Sequence, residues 1–328
     1  MKSKLLNFRF LALTFVAIAA MLSMPLCAEE STVPKKIVMV RFDELVGVED
    51  AEKAILQGLA SEGLKEGKDF VTVSKSAQGD LPTLVTLVKS ISPENCDLAV
   101  PLQAITLQVF LAQKELKMPI VFHLQGDPFH LGAGTDDKNH LPGVTGSYID
   151  NSPESLKNMI RILKKLMPNL NKAGVVFDTS VDTSVGIKDK LQAAYEKESI
   201  AVEAISVPDV FSYTTAIEAL RARGVQVVHG TPTILTAWFT SADNARIPII
   251  GMIKSHVDTG CLFTLAPDLK EGGIEAGKQI ARIFKGENPA AIPFFAMKRK
   301  ILAINKHSAD RFGLTIPPDL ASEAIIVK

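Results

Sequence analysis

Asp97-Leu98-Ala99-Val100-Pro101 is answered 129 residues later by Gln226-Val227-Val228-His229-Gly230. A helical stretch follows each, and then a second strand entered through an apolar residue and proline: Met118-Pro119-Ile120-Val121 in one copy, Ile247-Pro248-Ile249-Ile250 in the other. Val100 maps onto His229 and Pro119 onto Pro248 at that same offset. Upstream, Phe42-Asp43 and Phe177-Asp178 each end an apolar run, 135 residues apart. The repeat is far too long for a solenoid unit. It predicts two β-α-β lobes of one plan in a single chain, with a cleft between them as the place to look for function.

Working outward, the order in the first half is strand, helix, strand, helix, strand, helix, strand. Ile37-Val38-Met39-Val40 is a continuous apolar run, as a buried strand requires. Ala51, Ile55, Leu59 and Ala60 make a helix face, Phe70 to Val73 the next strand, and Leu84, Leu87, Val88 and Ile91 a second helix face. Strand 97–101, a helix over about 102–116 and strand 119–123 complete the half. Such alternation signals a parallel sheet covered on both faces. Residues 125–142, rich in Gly, Asp and Pro, read as a long loop approaching a first crossover. The second half restarts with a helix from Pro153 to Met167, strand 173–177, a helix from Ser184 to Glu198, strand 201–205 and helix 213–223. Gly260 to Thr264 reads as a strand crossing back, Leu269 to Lys285 as a helix, 294–304 as extended, and Lys306 to Phe312 as a short helix.

The 328 residues suffice for two domains, and 47% apolar composition supplies two cores. Lys2, Lys4 and Arg9 precede an apolar run from Phe10 to Met24, and Pro25-Leu26-Cys27-Ala28 offers a cleavage site. This pattern predicts a secretory signal peptide over residues 1–28, cut near Ala28, and hence export to the periplasm. Lipidation at Cys27 is disfavoured by Leu26 before it. Without Lys2, Lys4 and Arg9, 33 of the 36 basic residues stand against 36 acidic ones. That balance lacks the basic excess of a nucleic-acid binder. Cys96 and Cys261 remain, read as buried free thiols, although an exported chain permits a disulfide.

One ordered set of residues goes further. It comprises Asp127-Pro128 with Pro142-Gly143-Val144-Thr145-Gly146, then Gly277 with Ala281-Arg282-Ile283-Phe284-Lys285-Gly286-Glu287-Asn288-Pro289 and Ile292-Pro293. Ile304-Asn305, Ala309, Phe312-Gly313 and Ile316-Pro317 follow. Together these resemble the ABC-transporter substrate-binding proteins related to tryptophan- and tyrosine-binding periplasmic proteins, over nearly the whole chain after residue 28. The resemblance implies a type I periplasmic binding protein: an α/β fold of two Rossmann-like lobes with parallel sheets, three crossover segments and a ligand cleft between the lobes. The lobe bounds expected are 29–145 plus 262–290, and 146–261 plus 291–328. It also implies capture of a small organic ligand, delivery to an ABC permease in the inner membrane, a monomer, and no cofactor. An exported protein feeding a membrane sensor instead of a permease has the same sequence signature.

Candidate ligand-binding residues are those just past each strand, where carboxyl ends of parallel strands and helix N-termini present N–H groups to a ligand. In the first lobe they are Phe42, Asp43, Leu102, Gln103 and Asp127. In the second they are Asp178, Thr179, Ser180, Thr183, Ser184, Thr231, Thr233, Met252 and Ile253. Each has a plain alternative. The hydroxyls of the 178–184 run also suit helix N-capping, Pro232 suits a first helical turn, Phe42 can pack beside its strand, and Asp43 and Asp178 can be solvated loop acids. In the family resembled, amino-acid-binding members usually carry an acid near Thr231–Thr233 and often a Glu near Met252-Ile253. Here Pro232 and Lys254 stand in those neighbourhoods, which widens the expectation to less cationic or more apolar ligands. His123, His130 and His229 lack metal-ligand spacing. No GxSxG, Walker A, dinucleotide GxGxxG or Cys/His pairing supports catalysis, so the chain reads as a binder and not an enzyme.

Overall fold

Strand β1 (Lys35–Arg41) carries four consecutive buried apolar residues, Ile37 to Val40. A strand turns successive side chains to opposite faces, so Ile37 and Met39 join one core layer while Val38 and Val40 join another. A strand apolar on both faces belongs inside a parallel sheet. β1 accordingly lies between β2 (Phe70–Ser76) and β3 (Leu98–Pro101), parallel to both. With β4 (Ile120–Gln125), β5 (Val144–Ile149) and β11 (Phe295–Met297) they form a six-stranded, all-parallel sheet of order β2-β1-β3-β4-β5-β11. The structure is a computed structural model that describes residues 33–44, 47–113, 118–179, 182–208, 212–230 and 246–327. The expected signal peptide lies outside these residues.

The second sheet repeats the plan. Its strands are β6 (Lys172–Asp178), β7 (Ala201–Val207), β8 (Val227–His229), β9 (Ile249–Ile250), β10 (Phe263–Pro267), β12 (Lys300–Asn305) and β13 (Ile325–Val327). They run in the order β7-β6-β8-β9-β10-β12-β13. All its pairings are parallel except β10 with β12. β8 and β9 begin 129 residues after β3 and β4, the offset of the sequence repeat. Val175 and Val227 face one core layer and Val176 and Val228 the other, as in β1.

Helices α1 (Val48–Ser61), α2 (Leu81–Lys89) and α3 (Ala104–Leu111) serve the first sheet. Helices α4 (Pro153–Leu166), α5 (Asp182–Lys197), α6 (Tyr213–Ala222) and α7 (Lys254–Asp258) follow in the second half. α8 (Leu269–Phe284) returns to pack on α1, and α9 (Lys306–Arg311) and α10 (Pro318–Glu323) lie between β12 and β13. None of the described helices is long and apolar enough to cross a membrane.

Three segments pass between the sheets: 149–153, 267–269 and 297–300. These exchanges sit a few residues from the expected bounds at 145/146, 261/262 and 290/291. β5 accounts for the first difference. Its Gly146 interrupts the apolar pattern, yet a Cβ there would lie 2.3 Å from the Phe122 carbonyl oxygen, so glycine is what lets β4 approach. β10, expected in the first lobe, hydrogen-bonds in the second sheet, and the extended 294–304 run splits into β11 and β12 across a sheet exchange.

Candidate functional site

The two sheets exchange chain at the three crossovers. The loop after β4 meets α5, the helix after β6. Lys190 Nζ on α5 donates to Asp127 Oδ2 at 2.5 Å. The His130 ring lies 3.5 Å from the position a Cβ would take at Gly186. The described candidate residues follow the carboxyl ends of β1, β3 and β4, called the first rim below, and of β6 and β9, called the second.

On the first rim, Gln103 is the organiser. Its Oε1 accepts from the Phe42 N–H at 2.8 Å and the Asp43 N–H at 3.4 Å, and its Nε2 donates to Asp43 Oδ1 at 2.5 Å. Gln103 does this from a backbone at φ +71° and ψ 151°, a region nearly reserved for glycine that costs a residue with a Cβ about 1–3 kcal/mol. The side chain thus ties the β3 terminus to the β1 terminus. Phe42 is partly buried and packs on the first core. Leu102 has no exposed surface and packs in the layer of Ile37 and Met39, so in this structure it belongs to the core and not to the rim. Its backbone explains this: it still bridges to His123 as an extension of the sheet. Asp127 is also nearly buried, with Oδ1 accepting from the Phe129 and His130 N–H groups at 3.2 and 3.1 Å.

On the second rim, Ser184 is buried and its Oγ accepts from the Asp178 N–H at 3.0 Å, closing the turn between β6 and α5. Asp178 is half-buried and Thr179 exposed. Met252 packs partly against the second core, and its N–H donates to His256 Nδ1 at 3.2 Å. Ile253 stands just before α7. Burial pushes His256 down to about 4, which keeps it in the neutral form that this acceptor role requires. Ser180, Thr231, Thr233 and the Thr183 side chain lie outside the described residues.

The crossovers themselves are tied together. Lys300 Nζ donates to the Asp150 carbonyl at 2.8 Å, and the Asp268 N–H donates to the Arg299 carbonyl at 3.1 Å. Two helices that open directly after a crossover are side-chain capped: Ser152 accepts from Ser155 N–H and Asp268 from Glu271 N–H. Beneath them His123 Nδ1 sits 2.7 Å from Ser147 Oγ, fully buried, and burial holds its pKa near 4. Sequence reasoning missed this crossover chemistry and missed Lys190. Ser152-Pro153-Glu154, a cap followed by Pro at the first helical position, was the available signal for the first crossover; one lysine in a polar helix carried none. Beside the crossovers lies a cavity of about 500 Å³, lined among others by Gly126, Asp127, Phe129, Tyr148, Pro153 and Lys190.

Comparison with known proteins places this architecture. A family model described as ABC transporter substrate binding protein matches residues 36–328. A tyrosine-binding protein from Clostridioides difficile is 22% identical over 284 residues, 84% of this chain and 80% of its own. A crystal structure of an ABC domain in complex with L-Trp from Streptococcus pneumonia is 25% identical, with a TM-score of 0.82 over 90% of this chain and 100% of that one. A ligand-free, open substrate binding protein with adhesive properties from Clostridium difficile is 20% identical, TM-score 0.70, over 90% and 99%. The fold is that of the type I periplasmic binding proteins.

Proposed function

The chain belongs to the ABC transporter substrate-binding protein family, and on that premise we propose that it is an exported, periplasmic solute-binding protein that traps one small organic ligand between its halves and presents it to an inner-membrane ABC permease. The lobes proposed are the two sheet-centred halves, exchanging at the three crossovers. The observation that carries the reading is two like-ordered sheets that exchange chain at three short crossovers hydrogen-bonded to one another, with the loop after β4 held against the helix after β6. Such an arrangement hinges, and a ligand that touches both rims favours the closed form by its differential affinity for it.

The ligand class proposed is amino-acid-like or aromatic. The tyrosine-binding and L-Trp-bound relatives support it. Within the described residues the rims supply carboxylate and amide groups at Asp43, Gln103 and Asp178, and apolar side chains at Phe42, Met252 and Ile253. The first rim is pre-shaped by Gln103, so a ligand spends little free energy ordering that loop. Native mass spectrometry of the gently purified mature protein, repeated after denaturation, tests the reading. A discrete mass lost on denaturation is expected. A clean apo mass, with no thermal shift across amino acids, aromatic acids and other small organic compounds, argues against it.

A further inference from the structure

We propose that Asp127 and Lys190 are a positioning pair that latches the two halves together, and that Asp127, a candidate ligand contact by its place after β4, acts on ligand affinity through Lys190 and not by touching ligand. The inference rests on the reading that the halves close on a ligand.

Both carboxylate oxygens of Asp127 are engaged within the protein. Oδ1 accepts from the N–H groups of Phe129 and His130 and so fixes the turn after β4. Oδ2 accepts from Lys190 Nζ at 2.5 Å, across the boundary between the halves. The Asp127 side chain is only 7% exposed while that of Lys190 is 43% exposed, so the acid is built in and the lysine reaches it from solvent. Shape supports the same docking. Gly186, Ile187 and Lys190 fall on one face of α5 by helical spacing. A Cβ at Gly186 would lie 3.5 Å from the His130 ring, and Ile187 Cδ1 lies 3.4 Å from where a Cβ would stand at Gly126. The Gly126 carbonyl in turn accepts from Asn151 Nδ2 at 3.0 Å, in the first crossover. One loop of the first half is therefore gripped by one helix face of the second and by the hinge itself.

Separating the halves draws Lys190 away from Asp127, whose Oδ1 stays committed to the Phe129 and His130 N–H groups of its own turn. A charge left in that position loses its partner without regaining full hydration. The pair thus biases the equilibrium toward closure before any ligand arrives. A ligand that binds the closed form gains affinity in proportion to the population already closed. Because Lys190 is partly exposed, the bias is modest, about 3–5-fold in the closed-to-open ratio, the size of a good surface pair.

The test measures distances in the mature protein by double electron–electron resonance. Spin labels are placed at Gln78→Cys and Ser206→Cys, exposed positions at the carboxyl ends of β2 and β7, edge strands set away from the crossovers. Cys96 and Cys261 are buried. Asp127→Asn keeps an oxygen for the turn and removes the ion pair; Lys190→Ala removes it from the other side; Lys190→Arg restores it. Ligand-free wild type is expected to show a short and a long distance. Lys190→Ala and Asp127→Asn are each expected to lower the ratio of short to long 3–5-fold, the double variant no further, and Lys190→Arg to recover it. Two distances whose ratio ignores all these variants would overturn the latch alone. A single distance, unchanged when ligand co-purified with the protein is removed, would overturn the hinge reading beneath it.

Discussion

Replacing a helical glycine by alanine should have opposite signs at two places in this molecule. In a helix interior Ala is favoured over Gly by about 0.8–1 kcal/mol. At Gly186 in α5 the nearest atoms to a new Cβ are those of the His130 ring at 3.5 Å, an ordinary contact. Gly186→Ala should therefore stabilise by up to about 1 kcal/mol. At Gly277 in α8 a Cβ would lie 2.2 Å from the Ile55 carbonyl oxygen and 2.8 Å from the Gly58 Cα. The obstruction is reciprocal: a Cβ at Gly58 would lie 2.1 Å from the Ile274 carbonyl. These are backbone atoms in two packed helices, so neither side has a flexible end to give, and α1 and α8 must part by about 1 Å to restore normal separations. Overpacking of this kind costs about 1–3 kcal/mol. With the upper value taken because both obstacles are backbone, and the propensity gain subtracted, Gly277→Ala should destabilise by about 2 kcal/mol. Equilibrium urea unfolding of the mature protein, compared at equal m-value, reads both changes. A Gly277→Ala variant as stable as its parent would refute the claim that the two helix backbones touch.

Two further outcomes follow from buried and strained groups. Burial lowers His229 to about 3 and His123 and His256 to about 4, against an unfolded value near 6.5. Their neutral forms are native, so the unfolded chain binds more protons below pH 6.5; the stability they contribute is full above that value and is lost as pH falls toward 4. The three together set a slope of up to about 4 kcal/mol per pH unit near pH 5. Urea midpoints from pH 7.5 to 5 check it, with His256→Gln expected to remove about one proton from the slope and a flat profile counting against buried neutral histidines. At Gln103, alanine should cost about 1–2 kcal/mol by orphaning the Phe42 and Asp43 partners. Gln103→Gly should recover about 1 kcal/mol of that through its freedom at positive φ; equal melting temperatures for the two variants would show the backbone there to be unstrained.

The fold was legible because it is carried by local pattern. Continuous apolar runs at Ile37–Val40 and Val227-Val228 read as strands buried on both faces, and the Pro119/Pro248 correspondence reappears as β4 and β9. The thiols at Cys96 and Cys261 are free and buried, as read. What escaped is what depends on pairing. β5 is Gly-interrupted and leans on β4 and β11, and β10 takes its place in the second sheet between parallel β9 and antiparallel β12, which begins 37 residues downstream. At the rim, strand ends were found from spacing, but spacing does not say which way a side chain goes. Leu102 and Gln103 are adjacent in sequence; one is core and the other ties two loops together.

The two halves share a strand order but differ in how their loops are tied. On the first rim the loops are tied within the half, Gln103 to Asp43 and Asp127 to its own turn. On the second, α5 brings a glycine, an isoleucine and a lysine that meet that tied loop from outside. In the closure proposed above, a rim that is already ordered and a helix face docked onto it favour a rigid-body movement, with the changes of backbone angle confined to the short crossovers. Those crossovers are hydrogen-bonded to one another through Lys300 with Asp150 and Asp268 with Arg299. Under the proposed function these bonds couple the three crossovers into one hinge, which is the condition for a small ligand to control the whole of one half.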